Sequence, residues 1–261
     1  MLRPRITPCL LIHQGGLVKT KCFKEPRYVG DPINAVRIFN EKEADELIVL
    51  DIDATVNRVQ PNFALIAKLA AECRMPLCYG GGVTTAQQAS RIIDMGVEKV
   101  AVSAAAIANP ALLTEMAAAV GRQSVVAVLD VRSRKGLFAA GYDVWSHNCL
   151  TNHKLEPLEI AKQFQDAGVG EILLNSVDRD GMMQGYDLKL ATQLKQVLKV
   201  PLTILGGAGS LDHLVDLFSS SGLVGAAAGS LFVFKGKYRA VLINYPTPEQ
   251  KRNLFKISPT N

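Results

Sequence analysis

Short apolar runs alternate with longer stretches of helical periodicity from one end of the chain to the other. That alternation marks βα units feeding a parallel sheet. Eight runs have strand character: Ile6–Ile12, Leu47–Ile52, Leu77–Tyr79, Val100–Ser103, Val125–Val131, Ile172–Ser176, Leu202–Leu205 and Val224–Ala228. Helical patterns lie between most of them. Asp31–Lys42 opens on Asp-Pro, an N-cap followed by a first-turn proline. Asn62–Cys73 gathers Leu65, Ile66, Leu69 and Ala70 on one face, and Thr85–Met95 and Pro157–Ala167 follow the same spacing.

Eight strands predict an α/β fold closed into a single (β/α)8 barrel, with an open doubly wound sheet as the alternative. The length of 261 residues suits a barrel, for which about 250 is usual. No Pro/Ser-rich linker interrupts the chain, so one domain over residues 1–261 is predicted, as half-barrels of about 1–122 and 123–240 with a tail at 241–261. The longest unpatterned stretches are Gln14–Gly30 and Arg132–Lys154, after the first and fifth strands. Barrel enzymes keep active-site loops at such positions. The second stretch holds Gly136, Gly141 and the only tryptophan, Trp145, and predicts a hairpin or flap.

Two strand patterns end in paired glycines: Met75–Val83 in the first half and Val200–Gly209 in the second. Each is followed by an alanine-rich run, Val100–Ala106 and Ala226–Ser230. Glycines at a strand end let backbone N–H groups approach an anion, and a following helix N-terminus adds positive dipole. Two phosphate cradles are the expectation.

Composition narrows the field. A hydrophobic content of 48% supplies a large core, and a net charge of +5 is mild. No arginine stripe or basic cluster of the kind that tracks nucleic acid is present, so anionic small molecules or ordinary surface variation account for the charge. The five cysteines (Cys9, Cys22, Cys73, Cys78, Cys149) lack C-x-x-C spacing and read as reduced thiols of a cytoplasmic protein. The four histidines (His13, His147, His153, His213) form no ligand-spaced pair, so no metal or cofactor is predicted. No run approaches the roughly 20 apolar residues of a membrane span.

Polar residues mark the strand ends. Asp51 and Asp53 end the second strand, Asp130 the fifth, and Asp178 and Asp180 follow the sixth. Such aspartates could cap the next helix, but Asp130 precedes about twenty residues of loop and fits that role least. Burial would suit it to proton transfer. Lys19, in the first long loop, could clamp an anion or close a loop over substrate; a mobile surface lysine is the plain alternative. At the opposite strand ends stand Arg5, Glu46, Lys99 and Glu171, alternating in sign. They are either solvated strand-start charges or, pointing inward, a ring of two salt bridges that plugs the axis against all but a small neutral molecule.

Taken together, the chain resembles the HisF-type cyclase subunit of imidazole glycerol phosphate synthase over nearly its whole length. The resemblance is carried by Ala44–Ile52, Gly80–Val83, Gly170–Gly181 and Gly206–Leu211, with Asp178-Arg179-Asp180-Gly181 the most specific element. It implies a (β/α)8 barrel docked by its N-terminal face on a class I glutaminase subunit, with Glu98 beside that interface. It implies ammonia entering along the axis past a gate formed by Arg5, Glu46, Lys99 and Glu171. At the other face a pair of aspartates would close the ring of a bisphosphorylated ribulosyl substrate. Asp130 matches the second of that pair and serves as general acid or base. Lys19 and Asp51 would position substrate, and Asp180 would hold loops or ligand. Phosphate would bind at Gly81, Gly82 and Ser103 in the first cradle, and at Gly181, Gly206, Gly207, Gly229 and Ser230 in the second.

The departures from that family are as informative. Its first catalytic aspartate falls on Leu11, and a leucine transfers no proton. The first cradle's Asn-Ser/Thr pair becomes Ser103-Ala104, which removes side-chain donors, and Ser230–Pro246 differs from the ordinary ending. Leu11, Phe23–Asn34 and Ser230–Pro246 are similar to a paralogous HisF branch of bacterial surface-polysaccharide clusters, implying a phosphorylated or nucleotide-sugar ligand and a sugar amidotransferase as further partner. Three readings follow: ammonia-channelling in sugar amidination, a working imidazole glycerol phosphate synthase subunit, or a non-catalytic ligand-binding activator of the glutaminase.

Overall fold

A computed structural model describes residues 4–134, 136 and 140–256. The last residues of the predicted tail, 257–261, and part of the predicted flap, 135 and 137–139, lie outside that range. Eight parallel strands form the barrel: β1 (Arg5–His13), β2 (Leu47–Asp51), β3 (Leu77–Gly80), β4 (Lys99–Val102), β5 (Val125–Ser133), β6 (Glu171–Ser176), β7 (Leu202–Leu205) and β8 (Gly225–Ala228). Each pairs with the next, β5 pairs with β6, and β8 returns to β1 through Arg5↔Gly225 to Pro8↔Ala228, closing the sheet. The (β/α)8 expectation holds, and the open sheet is excluded by that last pairing. Predicted and observed strand bounds differ by at most two residues, and Leu202–Leu205 is the same in both.

Among the described residues, seven helices of nine to eleven residues lie between the barrel strands: α1 (Pro32–Glu41), α2 (Phe63–Glu72), α3 (Ala86–Asp94), α4 (Ala111–Val120), α5 (Pro157–Asp166), α6 (Leu188–Val197) and α7 (Leu211–Ser221), with short helical turns at Ala104–Ala108 and Ser230–Val233. Local chemistry starts them. Asp31 accepts from the Asn34 N–H with Pro32 in the first turn, and Thr85 and Gln88 form a reciprocal capping box. A further helix, α8 (Pro248–Lys256), seats Phe255 against Phe218 of α7 with ring centroids 6.0 Å apart. None of the helices among the described residues is long and apolar enough to cross a membrane.

The sheet separates two apolar regions. Outside it, residues such as Val36, Phe39, Leu69 and Phe164 pack fully buried between helices and strands; each such side chain contributes about 1.5–3 kcal/mol by leaving water. Inside, Cys9, Ile48, Val126, Leu173 and Ala227 fill the barrel's middle. The registers Leu11↔Leu50, Glu171↔Val126, Leu173↔Val128 and Asn175↔Asp130 put every second residue of each strand on the axis. The axial column therefore runs from charges at the base, through an apolar middle, to polar groups at the mouth.

The stretch Gln14–Gly30, which has no legible pattern, is a two-stranded antiparallel hairpin, Gly16–Lys21 against Lys24–Gly30. The reason is physical. In the first strand Leu17, Val18, Lys19 and Thr20 are all buried, whereas most of the second is exposed, so neither shows the alternation of a half-buried strand. The flap is also a hairpin, with Tyr142–Ser146 antiparallel to β5 and Thr151–Asn152 beyond it.

Candidate active site

At the base of the barrel the four strand-start charges meet. Arg5 donates from Nη1 to Glu46 Oε2 at 3.1 Å and from Nη2 to Glu171 Oε1 at 2.7 Å. Lys99 Nζ reaches Glu46 Oε1 at 2.5 Å and Glu171 Oε2 at 2.9 Å. The expectation of two salt bridges becomes four ion-pair contacts in one ring, and Thr203 Oγ1 adds a hydrogen bond to Glu171 at 2.6 Å. Burial alone would raise the Glu171 carboxyl, but Arg5, Lys99 and Thr203 together hold it below the ordinary value. Burial likewise opposes the charge on Lys99, and the two carboxylates outweigh it, so its pKa is raised. Glu98, exposed, sits beside the ring and donates its N–H to the Leu77 carbonyl at 3.0 Å.

Above the apolar middle, the strand C-termini surround a cavity of about 640 Å³. Asp130, Lys19, Asp51, Asp180, Ser103 and the cradle residues Gly81, Gly82, Gly181, Gly206, Gly207, Gly229 and Ser230 all line it. The sequence candidates are thus brought together, and what each touches differs.

Asp130 ends the inward face of β5. Burial pushes its carboxyl up to about 7, with Asp180 adding to the rise and a hydrogen bond from Asn175 opposing it. That bond runs from Asn175 Nδ2 to Asp130 Oδ1 at 3.0 Å, while the buried Asn175 Oδ1 has no partner. A carboxyl near 7 can both give and take a proton close to neutral pH. Sequence reasoning missed Asn175, although it lies four residues after Glu171 on the same strand face and opposite Asp130 in register. Leu11 also faces the cavity and is paired with Leu50, so this part of the mouth is apolar.

Lys19 is no mobile surface residue. It is only 6% exposed, and its ammonium donates to the Cys9 carbonyl at 2.5 Å. Burial lowers its pKa, against the pull of Cys9 and Asp180. A methyl group added at Gly229 would stand 2.5 Å from Nζ, so the ammonium lies directly on the second cradle. In the first cradle the Gly82 N–H is already taken by Thr55 Oγ1 at 3.3 Å, and Ala104 offers no side-chain donor. Ser103 Oγ is buried and unpartnered, a polar atom left for a ligand.

Most remaining aspartates tie loops rather than cap helices. Asp180 accepts from Thr20 Oγ1 at 2.6 Å and from the Phe23 N–H at 3.2 Å, pinning the first hairpin to the loop after β6. Asp53 holds His13 Nδ1 and the Gln14 N–H, each at 2.7 Å. Asp178 holds the Ser133 N–H and hydroxyl at 2.8 and 2.6 Å. Asp51 accepts from the N–H groups of Asp53 and Ala54 at 2.9 and 3.1 Å, and burial raises its pKa. The flap reaches over the mouth, where Asn148 Nδ2 donates to the Ile52 carbonyl at 2.8 Å, a contact with no signal in the sequence.

A closed (β/α)8 barrel with a paired charged ring at its base and a polar-lined cavity at its mouth defines the architectural class, and comparison with known proteins gives the family. The family model described as "Histidine biosynthesis protein" matches residues 5–239. A Vibrio vulnificus protein provisionally named imidazole glycerol phosphate synthase subunit hisF3 is 53% identical over 257 residues, 98% of each chain. A Leptospira borgpetersenii protein provisionally named as the HisF subunit is 52% identical over 98% of this chain and 100% of its own. A Pseudomonas aeruginosa protein provisionally named subunit hisF2 is 53% identical over 94% of this chain and 97% of its own. The chain belongs to the histidine biosynthesis protein family, as a HisF-type member.

Proposed function

We propose that this protein is the synthase subunit of a glutamine amidotransferase, receiving ammonia from a class I glutaminase docked over the strand N-termini, around Glu98. Ammonia passes the ring of Arg5, Glu46, Lys99 and Glu171, crosses the apolar middle and emerges beside Asp130. The observation that carries this reading is the axial column itself: a fully paired charged ring, an apolar interior, and an unpartnered acceptor with a carboxyl near 7 at the far end. A charged ammonium gains nothing in an apolar interior, whereas neutral ammonia crosses cheaply.

At the mouth, Lys19 and the second cradle hold a phosphorylated ligand, and Asp130 moves the proton as ammonia attacks. With Leu11 in place of a second carboxylate, ring closure of the ribulosyl bisphosphate loses one acid–base group, commonly a factor of about 10²–10⁴. The reaction that asks for ammonia delivery without that group is amidination of an acetamido sugar for surface polysaccharide, with a sugar amidotransferase as co-worker. The names of the relatives favour a second reading, imidazole glycerol phosphate synthesis itself.

Purified with its glutaminase, the protein should release aminoimidazole carboxamide ribotide from the histidine-pathway intermediate at no more than a trace rate. It should still draw ammonia from glutamine. Turnover at an ordinary enzymatic rate would establish the second reading instead.

A further inference from the structure

Two chain segments distant in sequence, Phe23–Asn34 and Ser230–Pro246, meet in space. Arg27, on the outer strand of the first hairpin, stacks over the ring of Phe234 with its guanidinium carbon 5.2 Å from the centroid. Phe234 begins a second hairpin, Phe234–Lys235 against Ala240–Val241, that leaves the barrel immediately after Gly229 and Ser230 of the second cradle. Together the two hairpins carry Lys21, Lys24, Arg27, Lys235, Lys237 and Arg239. Among the described residues none of the six is in an ion pair. Glu25 is the only carboxylate in residues 21–30 and 234–246.

The rim adjoins the cavity wall, which includes Phe23 and Ser230. Lys19, whose side chain enters the cavity, and Arg27 are backbone partners across the first hairpin. Phe23, between Lys21 and Lys24, lines the cavity wall. Two tyrosines stand on the rim: Tyr238 is 88% exposed, and Tyr28 is 66% exposed yet held against Gly16, where an added methyl would stand 2.7 Å from its ring. At the other end of the cavity the first cradle has spent the Gly82 N–H on Thr55, and Arg58 is its single nearby cation. The hairpins beside the second cradle thus carry six cations, next to the hydrogen-bonded Asp180, where the first cradle has Arg58 among its lining residues.

We infer that the mouth takes a ligand whose two phosphates are contiguous, a diphosphate ester, with the inner phosphate on Lys19 and the second cradle and the outer one on the basic rim. A ligand with phosphates at opposite ends would leave its far phosphate in the poorer cradle. A diphosphate ester instead places both charges on the side of these cations, and its reacting group falls toward Asp130. Contiguous phosphates beside unpaired cations form charge-assisted hydrogen bonds, and a planar base on an ester has exposed tyrosine faces to stack against. This inference rests on the proposed ammonia-fed site and specifies the ligand held there.

The test is calorimetric titration of the full chain with inorganic phosphate, inorganic pyrophosphate, UDP and ribulose 1,5-bisphosphate at fixed salt. Pyrophosphate and UDP should each bind at least about tenfold tighter than phosphate or the bisphosphate. The triple variant Lys235→Gln, Lys237→Gln, Arg239→Gln should lose most of that margin while its phosphate affinity stays within about twofold. Its substitutions lie on an exposed or half-exposed hairpin tip, and an unchanged melting curve checks the fold. Ribulose 1,5-bisphosphate binding as tightly as pyrophosphate overturns the inference, as does exclusion of UDP. So does a triple variant with an undiminished pyrophosphate margin, which would leave the rim to an acidic protein surface. Co-elution with the glutaminase and ammonia transfer are scored separately, so failure of the ligand preference leaves the delivery reading standing, and the reverse.

Discussion

Glu171 and Asn175 lie on the same inward face of β6, one at the base of the barrel and one at its mouth, and their surroundings are opposite. Glu171 accepts from Arg5, Lys99 and Thr203, and its charge is favoured despite burial. Asn175 spends its amide on Asp130 and leaves its carbonyl without a partner. The two inward lysines repeat the contrast: Lys99 is raised by two carboxylates, and Lys19 is lowered by burial. Burial at both ends thus goes with opposite electrostatics, because pairing decides which form the interior prefers. The base is complete as it stands. The mouth holds groups whose charged forms are disfavoured until something joins them, the condition in which a ligand gains most by binding.

The largest effect is expected at Asp130. Folding raises its pKa from 3.8 to about 7, so the native state favours the protonated acid. Its contribution to stability is whole below the unfolded value and is lost as pH rises through about 7. Above that, the ionised carboxylate costs on the order of 4 kcal/mol, at about 1.4 kcal/mol per pKa unit. Asp130→Asn should therefore melt higher than the wild type at pH 8, with the difference gone near pH 4. If the two proteins melt together across that range, Asp130 is not held as an acid and the contrast with the base fails. In the amidotransferase assay the same variant should lose about 10²–10⁴-fold in ammonia incorporation.

Breaking the base should act in the other direction. Lys99→Met leaves Glu46 and Glu171 sharing Arg5 alone, and an unpaired buried carboxylate costs about 3 kcal/mol. The Glu171 carboxyl is depressed on folding, so its stabilising share is present above the unfolded value of 4.5 and is lost as pH falls through the folded one. The deficit of Lys99→Met in urea unfolding should accordingly be full at pH 7 and shrink in acid. A pH-independent deficit would mean that lost packing, rather than lost pairing, is being measured.

Lys19→Met sharpens the mouth's side of the comparison. Removing a buried ammonium on the second cradle should weaken inorganic phosphate binding by about 1.5–3 kcal/mol, the usual range for a hydrogen bond to a charged group. Ser103→Ala at the other end should change it by less than about twofold. Equal losses at both ends would erase the asymmetry on which the ligand assignment depends.

How much of this was readable beforehand differs between base and mouth for a physical reason. Arg5, Glu46, Lys99 and Glu171 stand next to apolar runs, and their alternating signs leave two readings, solvated charges or an inward ring, between which the resemblance to the family's gate favours the ring. The number of contacts was not foretold, since it depends on how eight strands tilt and close. At the mouth, Asp130 stood out because no helix follows it closely. Lys19 is legible as a candidate anion clamp, but its burial is not, because a strand buried on both faces shows no alternation and its lysine can equally be read as a mobile loop residue. Asp53 and Asp178 looked like site residues and are loop ties, a distinction set by hairpins whose pairing partners lie far away in sequence. The Asn148 contact to Ile52 joins residues 96 positions apart and left no trace in either local pattern.

The smallest and most discriminating effect concerns Asn175. Its amide is a donor that favours the ionised Asp130, acting against burial. Replacing it with leucine, Asn175→Leu, removes that donor and the unpartnered carbonyl together. The pKa read from the carboxyl band of Asp130 should then move further up, by less than about one unit, since one neutral hydrogen bond is worth about 0.5–1.5 kcal/mol. If the carbonyl also receives ammonia, the variant should need a higher free-ammonium concentration to reach half its maximal incorporation, beyond what the pKa change explains. Asn175→Asp separates the two parts: it keeps an acceptor at the same place but sets a second carboxyl against Asp130, raising one pKa of the pair sharply. An Asn175→Leu protein with an unmoved pKa and an unmoved ammonium requirement would reduce Asn175 to packing, and the mouth's incompleteness would then lie with Lys19 and the unpartnered Ser103 hydroxyl.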